Sequence, residues 1–170
     1  MAAVVPHGVL FRGAAEGRIR QTVIEKNLLD AVIGLPANLF YGTSIPACIL
    51  VFKKNRATND VLFIDASGKD ADGNLRYRKD KNQNKLDQCH IDAIYKAYTD
   101  RVDVERFAHV ATPEEIRAND YNLNIPRYVD MFEEEELVDI DVVQGNIQRL
   151  KMEIADAEAE LNKFLKELGL

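Results

Sequence analysis

The sequence predicts an α/β fold, and three observations carry that prediction. Four short apolar runs, at residues 4–11, 28–35, 46–52 and 61–67, are rich in Val, Ile and Phe and have the length of strands rather than helices. One helix-period segment separates the first run from the second, while only short polar loops separate the others. From residue 87 onward apolar residues recur mainly at three- and four-residue spacing, so helices close the chain. One crossover helix followed by closely spaced strands predicts a sheet that begins parallel and finishes with antiparallel strands at its edge. That order is too brief for a complete doubly wound sheet and reads as the last part of one.

Taken in order, "VVPHGVLF" (4–11) is expected as a strand with a backbone break at Pro-His-Gly. "AAEGRIRQTVIEKN" sets Ile19, Val23 and Ile24 on one helical stripe and stops at the polar Lys26-Asn27 pair. "LLDAVIGL", "PACILVF" and "VLFIDAS" follow as buried strands, the second entered through Pro46 and closed by the basic "KKNR" at 53–56. Asp72-Gly73 marks a turn, after which "LRYRK" is expected to return as a hairpin partner. Ile91, Ile94, Tyr95 and Tyr98 define a helix capped by Asp87. "TPEEIRAND" fits a capping pattern, with Thr112 as cap, Pro113 at the first helical position and Glu115 reaching back. "YNLNIPRYVDMFEEEE" reads as an irregular linker. Ile140, Val143, Ile147, Leu150, Ile154, Ala157, Leu161, Phe164 and Leu168 then alternate three- and four-residue steps, a heptad seam that wants a partner helix. Three regions are expected: residues 1–86, a helical extension and linker at 87–132, and an acidic segment with a coiled-coil-like helix at 133–170.

Composition bounds the function classes. With 46% hydrophobic and 29% charged residues in 170, the chain is a globular domain with room for a core. No apolar run approaches the roughly 20 residues that span a bilayer and no signal peptide opens the chain, so no membrane contact and a cytoplasmic location are expected. The net charge of -6 is unevenly spread: residues 1–100 carry 14 Lys+Arg against 11 Asp+Glu, residues 101–170 carry 8 against 17, giving +3 and -9. A polyanion would meet the first part, above all at "KKNR" and at "RYRKDKNQNK" (76–85), so Lys53, Lys54, Arg56, Arg76 and Arg78 are the candidate contacts to a nucleic-acid backbone. Cys48 and Cys89 form no CxxC pair and are expected to be buried free thiols.

Several chemistries find no support. "RGAAEG" is neither a Walker loop nor GxGxxG. A calcium loop begun at Asp70 would put Leu75 at its glycine position and Lys81 at its final glutamate. His7, His90 and His109 lack metal-ligand spacing, so no metal is expected. No GxSxG elbow or spaced carboxylate pair stands out.

The segments "VVPHGVLFRG", "IRQTVIEKNLLDAVIGLPANLFYGTSIPACILVFKK", "VLFIDAS", "KNQNKL" and "NDYNLNIPRYVD" resemble, in that order, the C-terminal part of the modification subunit of type I restriction-modification DNA methyltransferases. The resemblance implies the end of a Rossmann-like, S-adenosylmethionine-dependent methyltransferase sheet. It implies transfer of a methyl group to the exocyclic amine of adenine, in a complex with specificity and restriction subunits on DNA. The family's glycine-rich cofactor loop and its catalytic Asn-Pro-Pro-Phe or Asn-Pro-Pro-Tyr tetrapeptide precede the matching stretch. No catalytic residue is therefore assigned here, and the chain is expected to be an inactive fragment by itself. The loop "NLFYGTSIP" corresponds to one beside that tetrapeptide. Phe40, or Tyr41, is thus the expected wall of a pocket for an extruded adenine, Gly42 the residue allowing the turn, and Pro6 and Gly8 shaping residues at the end of the preceding strand. The heptad helix resembles the element that docks on the specificity subunit, with Ile147, Leu150, Ile154, Leu161, Phe164 and Leu168 at the interface; alone, it is expected to pair with itself. A non-catalytic interaction module, dimerising or binding a specificity subunit, stays open as the alternative.

Overall fold

The structure is a computed structural model that describes residues 1–70, 72–130 and 140–167. Backbone contacts divide the chain into two units, Met1–Phe132 and Glu133–Leu170.

The first unit is built on a five-stranded sheet. β1 (Ala2–Pro6) leads through a one-turn helix, α1 (Gly8–Phe11), into α2 (Ala14–Glu25) and then β2 (Leu29–Gly34). β3 (Ala47–Phe52) and β4 (Val61–Asp65) follow, and β7 (Ala108–Ala111) completes the sheet in the order β1-β3-β2-β4-β7. β3 pairs antiparallel with both β1 and β2, β2 pairs parallel with β4, and β4 antiparallel with β7. The crossover through α2 therefore does make β1 and β2 run the same way, as expected. However, β3 is inserted between them, so among the described residues the only directly paired parallel strands are β2 and β4.

Alternating side chains feed two cores. Leu29, Val32, Cys48, Leu50, Val61 and Phe63 face α1, the end of α2 and the residues after α4 (Pro113–Ala118). Ala31, Ile33, Leu62 and Ile64 face α3 (Gln88–Asp100) and Phe107. With both faces covered, β2 and β4 are buried at every position, which explains why they read as continuous apolar runs.

Six expectations need correction. "VVPHGVLF" is not one broken strand, because the chain turns at His7 and continues as α1. "LRYRK" does not return to β4: Arg78–Lys79 (β5) pairs with Asn84–Lys85 (β6), and β7 takes the edge. Residues 121–130 are no linker. Leu123, Ile125, Tyr128 and Val129 are buried, and the Tyr128 ring stacks on Phe63 with centroids 3.9 Å apart. This strap is tied down by Leu123 N–H donating to Leu10 O (2.9 Å) and by Arg20 donating to Tyr121 O (3.2 Å). Ile19 leaves its stripe and stands 63% exposed, and Cys89 is exposed while Cys48 is buried, with its thiol pushed up to about 11 by burial. Finally, Thr112 caps α4 as expected, but the Glu115 carboxylate binds His109 Nε2 at 3.0 Å instead of reaching back.

The second unit contains α5 (Ile140–Glu167). Val143, Ile147, Leu150, Ile154, Leu161 and Phe164 are all exposed on it, whereas Leu168 lies outside the described residues. Among the described residues, no helix is long and apolar enough to cross a membrane.

Candidate nucleic-acid interface

The loop from residue 35 to 46 leaves the C-terminal end of β2 and returns into β3, pinned at its base by Leu35 N–H donating to Ala47 O at 2.9 Å. Asn38 and Gly42 both take positive φ, +53° and +77°. A Cβ on Gly42 would meet nothing within 4 Å, so the requirement there is for the left-handed backbone alone. Between these two turns the loop raises its aromatic pair: Phe40 is 42% exposed and Tyr41 90%. Beneath Phe40 lies an open groove of about 210 Å³ lined by Val5, Pro6, Phe40, Ile45, Pro46 and Ala47, among others. The structure thus brings Phe40 and Pro6 to one groove, with Gly42 shaping the loop above it. Tyr41 points elsewhere, and Gly8 lies outside the groove at the start of α1, where a Cβ would meet only the flexible end of Arg12 at 2.9 Å. His7 spends its Nε2 on Ala47 O at 3.0 Å, fastening the end of β1 to the start of β3. With no titratable group in its lining, the groove suits contact with a flat apolar ring rather than proton transfer.

The basic residues fall into two places. Lys53, Lys54 and Arg56 belong to the opposite end of the sheet, since β2 separates Asp30 from Leu35 by about 16 Å at 3.3 Å per residue. There the Asp30 carboxylate, 4% exposed, meets Arg56 Nε at 3.0 Å, Lys53 Nζ at 3.0 Å and Arg101 at 3.2 Å, and accepts the Tyr98 hydroxyl at 2.6 Å. Arg56, whose side chain is also 4% exposed, donates to Leu29 O at 2.6 Å and to Asp60. It is a buried clamp, so the expected role of Arg56 at a nucleic-acid backbone does not fit its position. Lys53 is half committed to the same network, its ammonium lying over the Tyr98 ring, and Lys54 is exposed. Burial alone would raise the pKa of Asp30, but the Tyr98 hydroxyl, Lys53 and Arg101 outweigh it and hold the carboxyl below its ordinary value.

Arg78 belongs to the β5–β6 hairpin, which is anchored to the aromatic loop, and Arg76 lies just before it. Asn84 donates its N–H to Asn38 O (2.8 Å) and its side-chain amide to Ala37 O (2.7 Å). Arg78 pairs with Asp87 at 2.9 Å and stays half exposed. Arg76 stacks over Phe107, 3.9 Å from the ring centroid, and burial lowers its pKa. Sequence reading missed Asn84 and Ile45. Ile45 carried a signal, an apolar residue in an otherwise polar loop, whereas Asn84 carried none, since its partners are carbonyls 46 and 47 residues away.

The family model for N-6 DNA Methylase matches residues 1–137. The chain is 36% identical over 169 residues to the type I restriction enzyme MjaVIII methylase subunit of Methanocaldococcus jannaschii, covering 98% of this chain and 28% of that protein. It is 34% identical over 161 residues to the MpnII methylase subunit of Mycoplasma pneumoniae, covering 95% of this chain and again 28% of the relative. Among solved structures, the type I restriction-modification methyltransferase subunit from Streptococcus thermophilus superposes with a TM-score of 0.71 at 55% identity, over 76% of this chain and 26% of that one. The chain thus spans under a third of the length of these relatives, and it belongs to the N-6 DNA methylase family.

Proposed function

We propose that this chain supplies the base-contacting edge of a type I DNA adenine methyltransferase subunit. In this reading a subunit of the relatives' full length transfers the methyl group of S-adenosylmethionine to the exocyclic amine of adenine, together with specificity and restriction subunits. The observation that carries it is the loop at the C-terminal end of β2, where open α/β sheets bind ligands, which sets Phe40 over an apolar groove and leaves Tyr41 in solvent. An enzyme acting on a base extrudes it from the duplex, and the extruded ring needs a face to stack on. Phe40 offers that face, Pro6 and Ile45 the groove beside it, and Arg78 on the tethered hairpin a nearby cation. Lys54 is a remoter candidate for the backbone.

The residues of this chain do not fit the methyl donor itself. At the C-terminal end of β4 the buried carboxylate of Asp65 is already engaged, accepting from the Ser67 amide (2.8 Å) and hydroxyl (2.5 Å), and the groove under Phe40 has no charged side chain in its lining. No step of the transfer is therefore assigned to these residues; their part is to receive and orient the base.

The test is Phe40→Ala in a methylase subunit of full family length carrying this segment, assayed with its specificity subunit. Base stacking is worth about 1–3 kcal/mol, so methylation of duplex DNA is expected to fall roughly 5- to 150-fold with cofactor affinity unchanged. Unchanged methylation would remove Phe40 from the pocket. A second reading, an interaction module without catalysis, is favoured by one feature: the exposed seam of α5, which suits docking on a specificity subunit or pairing with a second copy.

A further inference from the structure

At the start of α2 the first unit carries a second, polar hollow of about 380 Å³. Three arginines line it, Arg18 and Arg20 from α2 and Arg127 from the strap. Arg20 is fixed by carbonyls, donating to Arg12 O at 2.6 Å, Val9 O at 2.9 Å and Tyr121 O at 3.2 Å. Its structural role is clear, since it staples the α1–α2 turn to the strap. Arg127 donates to Asn119 Oδ1 at 3.3 Å, and neither it nor Arg18 forms an ion pair among the described residues. Asp120 is the one acid in the lining, so the hollow holds three cations against one anion. Gly13 and Gly17 leave the helix backbone bare on this side: a Cβ at Gly13 would meet nothing within 4 Å, and one at Gly17 nothing nearer than 3.7 Å. Gly13 also provides no side-chain cap, which leaves the first N–H groups of α2 without a side-chain acceptor.

Position gives this charge a use. α2 begins at the same end of the sheet as the Phe40 loop. Only α1, four residues and about 6 Å of helix rise, stands between Pro6 in the groove and Phe11 at the rim of the hollow. We propose that this hollow takes a phosphodiester of the DNA strand whose base stacks at Phe40, with Arg18 and Arg127 as its contacts. The inference rests on the function proposed above. Guanidinium forks match phosphate oxygens in pairs, and Arg20, already fixed by three carbonyls, adds its positive charge to the hollow without being reordered. It also relocates the backbone contact from "KKNR", at the far end of the sheet, to arginines that sequence clustering did not single out.

The experiment uses the full-length subunit with its specificity subunit, comparing wild type, Arg18→Gln/Arg127→Gln and Arg18→Lys/Arg127→Lys. Affinity for a duplex with and without the target sequence is measured across a series of KCl concentrations. Losing one phosphate contact should lower the slope of log K against log[salt] by about 0.9 in the glutamine variant, weakening both duplexes by the same factor. The lysine variant should keep most of the slope, and Lys26→Gln, at the other end of α2, all of it. A glutamine variant with wild-type slope and affinity overturns the assignment of the hollow while leaving Phe40 untouched. A wild-type subunit that neither binds nor methylates DNA overturns both readings.

Discussion

Asp30 occupies a place that no strand residue would ordinarily hold. The pairing of β2 with β3 slips between Leu29 and Ala31, so Asp30 has no partner of its own across the ladder, and its side chain is turned to the buried cations at the end of the sheet. Replacing it with Asn would leave the Arg56 side chain, 4% exposed, beside an uncharged amide. Loss of about 3–5 kcal/mol is expected, read by urea unfolding. Because burial is outweighed and both Asp30 and Asp60 are held below their ordinary values, the stability they contribute is complete above about pH 4 and is lost as the pH falls through the lower folded values. A wild-type stability that stays flat below pH 4, or that does not depend on Asp30, would contradict this. Only the charges of this network were legible beforehand. "KKNR" looked like a solvated basic run, and nothing local says that Arg56 turns inward, since its acceptors sit at Leu29, Asp30 and Asp60.

Among the elements, the strap at residues 119–130 does the most that its sequence conceals. Asn, Asp and Pro mark it as irregular, and irregular it is, with Asp120 and Tyr121 both at positive φ. Yet it crosses the sheet face closely enough that a Cβ on Gly34 would lie 2.6 Å from Ile125 Cδ1. Tyr128 is its anchor. The ring stacks on Phe63, the hydroxyl donates to Asn122 O at 2.7 Å, and burial pushes its pKa up to about 12. Tyr128→Phe should cost about 1 kcal/mol by losing that hydrogen bond, and Tyr128→Ala about 3–5 kcal/mol by opening the core; equal costs would deny the ring its role. α5 is the opposite case, an element whose period was legible at once and whose apolar seam is exposed. Leu150→Asp with Leu161→Asp should abolish binding to the specificity subunit and any self-association, measured by light scattering. Unchanged mass and unchanged binding would dismiss the seam as an interface.

At the scale of the whole first unit, the buried ion-pair network and the loop proposed above to receive a base lie at opposite ends of the sheet. The ion-pair end is buried and cross-linked, while the loop end is open, with Tyr41 90% exposed. Tyr41→Ala should therefore leave unfolding within about 0.5 kcal/mol of wild type, and a larger loss would mean that the loop helps hold the fold. The positions of β2, β3 and β4, the burial of β2 and β4, and the caps of α3 and α4 were all determined by the sequence itself, because each follows from contacts between residues a few positions apart or from a simple period. Tertiary structure alone decided that β3 inserts between β1 and β2, that Arg56 turns inward, that Asn84 tethers a hairpin to the aromatic loop, and that Arg18 and Arg127 meet at one hollow. Each of these joins residues tens of positions apart, and local spacing carries no record of which distant partner will satisfy a charge or a carbonyl.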